Sequence, residues 1–325
     1  MISPILLAEG SLMNQAKIIF PAVLLVANTA FAEPTWADHK RESLKTTLHQ
    51  WSNNINAWLG EPDPNRPASA GLRVMLDNEW NRYDGYSIKP RIRGKIKLPV
   101  LKQRLNLVFG DDNLDDETKD KNRLVRNYDH LDPNKNYDRK QARESNSSIA
   151  LRWSQGVKQL GIDTDLDLGL RSGGDVYLRF KANKVWQWTD QFSTRLEQIY
   201  RYGINSKHYL RTNFENRFNE TENRHFANIV YFQYTKDIDE LKYWGNSLYR
   251  QHNFAGYKRL NYGIFAGGQV SKKDFKLMKY GPFINWRQPI YHDWLFIEPE
   301  LNFYNNRDLN RKHSIGAFMR IEALF

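Results

Sequence analysis

The sequence predicts an all-β protein, an antiparallel transmembrane β-barrel of 12–14 strands preceded by one N-terminal amphipathic helix. Three observations carry this. From Gly71 onward apolar residues recur at every second position, over segments long enough to cross a bilayer as tilted strands of about 9–11 residues. Aromatic residues gather near the ends of those segments, at Trp80, Trp186, Trp188, Trp244, Trp286, Tyr291, Trp294 and Tyr304, as interfacial girdles require. The chain also opens on a secretory leader and closes on an alternating strand ending in Phe325.

The leader spans residues 1–32, with Met13 as an alternative start. Lys17 is its positive flank, Ile18 to Ala27 its apolar run, and Ala30-Phe31-Ala32 its small-x-small cleavage pattern. Pro21 interrupts the run, which is too short for a retained anchor of about 20 residues. Residues 33–68 are a helix and linker. Leu44, Leu48, Trp51, Ile55 and Trp58 recur at three- and four-residue steps, Asp38 is the expected N-cap, and Gly60 followed by EPDPNRPAS ends the helix. This helix has three candidate roles: plugging the barrel, lying on the periplasmic leaflet, or meeting a partner.

Residues 69–325 form the barrel. The clearest strand is YSIKPRIRGKIKL, residues 86–98. Tyr86, Ile88, Pro90, Ile92, Gly94, Ile96 and Leu98 share one face, and Lys89, Arg91, Arg93, Lys95 and Lys97 share the other. Strand five repeats the pattern with acids, setting Ile162, Leu166, Leu168 and Leu170 against Asp163, Asp165 and Asp167. Strand six sets Val176, Leu178 and Phe180 against Tyr177, Arg179 and Lys181. Strands at Leu72, Val74 and Leu76, at Leu105, Leu107 and Phe109, and at Ile149, Leu151 and Trp153, with segments 191–202, 206–218, 225–235, 241–252, 258–270, 274–287, 293–304 and 313–325, complete the expected set. The longest insertion, 111–146, is dense in charge, and an even strand count places it outside the cell.

In the last strand Ile315, Ala317, Met319, Ile321, Ala323 and Phe325 alternate with Gly316, Arg320 and Glu322. Here the chain resembles bacterial outer-membrane β-barrel proteins, whose final strand ends on an aromatic residue and alternates backwards from it. Ala323 departs from the pattern, standing where a larger residue is common. The resemblance implies an outer-membrane location and makes Phe325 the signal that the barrel-assembly machinery reads.

Composition agrees. Mean hydropathy is −0.72, as expected when only alternate residues touch lipid. Cysteine is absent, which removes disulfides and thiolate metal sites. The net charge is +11, but the leader and the strand-by-strand spread of that charge argue against nucleic acid. With polar faces inward, Lys89, Arg91, Arg93, Lys95, Lys97, Arg179, Lys181, Asp163, Asp165 and Asp167 become the lumen's selectivity residues. The expected function is passive passage of small, preferentially anionic solutes. A salt-bridged, closed barrel serving as scaffold, adhesin or assembly partner is one alternative, and a membrane-embedded hydrolase acting on lipid is the other. His208 near Ser206 and His225 near Asn228 form no recognisable catalytic motif, so no catalytic residue is assigned. The run Asp111 to Asp116 begins like a calcium loop, but Asp116 replaces the turn glycine and Asn122 the bidentate glutamate. No metal or cofactor is predicted. Lys119, Lys121, Arg123 and Arg126 are placed to meet lipopolysaccharide phosphates, and outer-membrane lipid and small anions are the other expected partners.

Overall fold

The computed structural model describes residues 35–61, 65, 67–99, 105–110, 146–157, 159–236, 240–271, 274–307 and 309–325. The leader and the calcium-like run lie outside the described residues, as does the whole 111–146 insertion apart from Asn146.

One helix comes first, α1 (Trp36–Leu59). Its N-cap is Thr35 and not Asp38. Asp38 sits one turn in, where Oδ2 accepts the Thr35 amide at 2.9 Å, so the acid reaches back to an orphan donor and does not open the helix itself. The buried face also differs from the expected one. It runs through Leu48, Ser52 and Asn56, while Trp51 and Trp58 are exposed.

Fourteen antiparallel strands follow: β1 (Ser69–Asn81), β2 (Gly85–Lys97), β3 (Leu105–Gly110), β4 (Ser148–Val157), β5 (Ile162–Arg171), β6 (Asp175–Gln187), β7 (Phe192–Gly203), β8 (Lys207–Thr221), β9 (Arg224–Lys236), β10 (Glu240–Phe254), β11 (Lys258–Val270), β12 (Phe275–Tyr291), β13 (Leu295–Asn306) and β14 (Arg311–Leu324). Each strand pairs with its neighbour in sequence, and β1 pairs with β14, so the sheet closes and no edge remains. At the seam the Phe325 amide donates to the Leu72 carbonyl at 2.8 Å, and the Leu72 amide donates back at 3.1 Å.

Residues paired across strands share a face, which makes the two sides of the wall easy to tell apart. On β5 Leu168 is 59% exposed while its neighbour Asp167 is 0% exposed. The outward apolar face continues through Ile315, Ile264 and Leu301. Outward aromatics form clusters at both rims. Phe232 and Trp244 each meet Phe275 edge-on at one end, and Phe254 meets Trp286 at the other. Two residues of the expected girdle are placed elsewhere. Tyr304 packs against a lumen-side cluster, with Phe303 taking the outward position, and Trp294 is buried beside α1.

Among the described residues β3 pairs β2 from Arg93 to Lys97, and Pro90 lies beyond those pairs. The Asn146 side chain serves the backbone there, donating to the Pro90 carbonyl and accepting the Ile92 amide.

Candidate functional site

The lumen wall is built from the alternate residues that cannot face hydrocarbon. On β4 to β6 the register aligns Arg152 with Asp167 and Asp167 with Arg179. Both oxygens of Asp167 are used. Arg152 Nε and Nη2 donate to Oδ1 and Oδ2 at 2.8 and 2.9 Å, and Arg179 Nη1 donates to Oδ2 at 2.8 Å. The planar forks match the carboxylate, and all three residues are buried.

A second group spans the seam. Asp77 on β1 binds Arg320 on β14, and Arg91 of β2 approaches the same carboxylate at 3.4 Å. Glu322 pairs with Arg73 and accepts from Arg287 Nη2 at 3.0 Å. Glu298 accepts from Asn285 Nδ2 at 3.0 Å, with Arg287 at 3.8 Å and Arg259 at 4.0 Å. A third group centres on Glu197, which pairs with Lys181 at 3.3 Å and Arg195 at 2.8 Å and accepts from Asn213.

The sequence-predicted residues are thus distributed among these groups and not gathered in one place. Arg179 and Asp167 meet directly, whereas Lys181 turns to Glu197 and not to Asp165, its register partner. Asp165 accepts instead from the Ser154 hydroxyl at 2.6 Å, and Asp163 is exposed opposite Asn183. On β2, Lys89 stands opposite Asp77, Arg91 opposite Met75 and Arg93 opposite Arg73, while Lys95 and Lys97 stand opposite Gly71 and Ser69. Arg91 and Arg93 are buried; Lys89, Lys95 and Lys97 are exposed.

An apolar sector was not foreseen. Ala227, Ile229, Tyr231, Tyr249, Phe265 and Phe283, on β9 to β12, form a buried cluster on the lumen side. Tyr231 lies across Gly245 of the next strand so closely that a Cβ there would overlap its ring, and Phe265 covers Gly267 in the same way. The signal in the sequence is a glycine on the same face as an inward aromatic, one strand away for Tyr231 and Gly245 and two residues along the same strand for Phe265 and Gly267.

His208 and His225 each bond a side chain other than a serine. His208 Nδ1 bonds the Tyr200 hydroxyl, and Ser206 faces Asp175. His225 Nε2 is 2.9 Å from Arg217 Nη2.

A closed sheet of fourteen strands, apolar outside and ionic inside, is an arrangement only a lipid bilayer rewards. This is a closed transmembrane β-barrel. No family model matches the sequence, and no curated protein does. Among solved structures the barrel is similar to OprB of Pseudomonas putida at 9% identity, covering 85% of this chain and 97% of that one with a TM-score of 0.47. It is also similar to the outer-membrane channel DcaP of Acinetobacter baumannii, at 8% identity over 82% and 99% of the two chains, with a TM-score of 0.43. A KdgM porin solved with disordered oligogalacturonate aligns at 8% identity over 78% and 98%, with a TM-score of 0.35.

Proposed function

We propose that the barrel is a water-filled channel for passive passage of small solutes, with anions favoured. The observation that carries this is the direction of its ion pairs. The pairs Arg152–Asp167–Arg179, Arg320–Asp77–Arg91 and Arg287–Glu322 join adjacent strands or next neighbours. They run along the wall and not across the bore. Eight-stranded barrels are narrow enough for side chains to fill, about half the strand number here, so a wall-bound network leaves room for water.

The sign of the preference rests on β2. Lys89, Lys95 and Lys97 are exposed on its lumen side, and among the described residues inward cations outnumber inward carboxylates. A positive wall in a low-dielectric shell raises the local concentration of anions. The acids Asp163, Asp165 and Asp167, with Arg179 and Lys181, would then set a more balanced sector beside that wall. Phe325, which closes the seam, is the proposed assembly signal. Solute uptake by proteoliposomes tests the reading. Small carboxylates should enter several times faster than amines of equal size, and replacing Lys89, Lys95 and Lys97 together with Gln should reduce that ratio. Impermeability to both solutes would favour the closed barrel, and faster amine entry would reverse the sign.

A further inference from the structure

The helix offers a surface that the barrel does not use. Trp36, Trp51 and Trp58 are 78%, 59% and 84% exposed. At 3.6 residues per turn they fall within an arc of about 60°, together with Lys40 and Asn54. Leu48, Ser52 and Asn56 define a different, buried face.

Where the helix is held indicates what the stripe meets. The Tyr291 hydroxyl donates to Asp38 Oδ2 at 2.6 Å and lies beside the Thr35 hydroxyl, and the Arg41 guanidinium covers the Trp294 ring at 5.4 Å. A register shift after Pro289 brings Tyr291 opposite Leu295. Leu295 pairs with Ala323, Ala323 with Val74, and Val74 with Ile92, which is exposed on the outer wall. Tyr291 therefore belongs to the lipid-facing side, and Trp294 in turn contacts Phe325, which ends the same outward row. The helix continues from there to pack against β1. The longest connection lies at the opposite end of the barrel, so this rim is the periplasmic one.

We infer that α1 is an interfacial anchor, lying along the periplasmic rim with its tryptophan stripe in the phospholipid leaflet that surrounds the barrel. Continuity with the barrel's lipid-facing wall names the occupant. Indole rings favour the headgroup level because one part is apolar and the N–H needs a polar partner. Lys40, on the stripe itself, carries a charge that phosphates attract. The inference stands whether or not the bore conducts.

The chain has no cysteine, so single labels are unambiguous. Asn54→Cys places a fluorophore on the stripe without removing a tryptophan, and Asn53→Cys places one about 100° away. Both variants of the mature protein are reconstituted in liposomes of phosphatidylethanolamine and phosphatidylglycerol, with folding checked by heat-modifiable migration. A lipid quencher near the headgroup should quench the label at 54 several-fold more than that at 53, with iodide showing the reverse. Equal iodide quenching at both sites would overturn the anchor. So would a label at 54 shielded from both quenchers with efficient Asn54→Cys cross-linking between chains, which would mean that a second copy covers the stripe.

Discussion

Asp167 is the residue on which one side of the wall converges. Its carboxylate is fully buried and accepts three hydrogen bonds from Arg152 and Arg179. Removing the charge from such a group leaves two guanidiniums desolvated beside a neutral amide, and breaking a buried pair typically costs about 3 kcal/mol or more. Asp167→Asn should therefore lower unfolding stability by about 3 kcal/mol in a urea titration of the folded barrel in detergent. A change indistinguishable from zero would mean that the three residues merely coincide. The alternation of Asp163, Asp165 and Asp167 with Leu166, Leu168 and Leu170 made this site legible, because a carboxylate has no place against hydrocarbon. The identity of the partner was not legible, since Lys181 stands at an equivalent inward position on the same strand as Arg179 and selects Glu197.

The elements show where periodicity suffices and where docking decides. All fourteen strands follow from the period-two pattern, and β11 runs over the very residues expected. On β9 the segment Ala227–Phe232 is largely apolar on both faces, so nothing in it told inward from outward, and the lumen-side cluster was missed. In α1 the apolar stripe was visible, but it is wide, and attachment at Tyr291 turns Trp51 and Trp58 out and Ser52 and Asn56 in. That attachment carries a pH signature. The Tyr291 hydroxyl, then the Thr35 amide, with His292 nearby, hold the Asp38 carboxyl down to about 2, below its ordinary 3.8. A depressed carboxylate stabilises docking above its ordinary value and loses that contribution as pH falls through the depressed one. A fluorophore on Lys40→Cys should keep the low mobility of a docked helix from neutral pH to about 4, and gain mobility between about 4 and 2. Asp38→Asn should shift the mobility at neutral pH toward the acid value. Release of the wild-type helix above pH 5 would contradict the contact.

At the scale of the whole molecule, the closed sheet and, away from β9, the sense of the faces were legible in the sequence, because a membrane allows a strand few alternatives. Whether the bore passes ions was not, since inward charges of both signs line porous and sealed barrels alike. The structure adds the arrangement of those charges: bonded to neighbours along the wall, with an exposed lysine column on β2 and an apolar sector on β9 to β12. The most direct test is the zero-current potential of single barrels in a planar bilayer under a potassium chloride gradient. Discrete conductance steps are predicted, with a reversal potential displaced toward that of chloride. A silent bilayer, or a displacement toward potassium, would contradict the account.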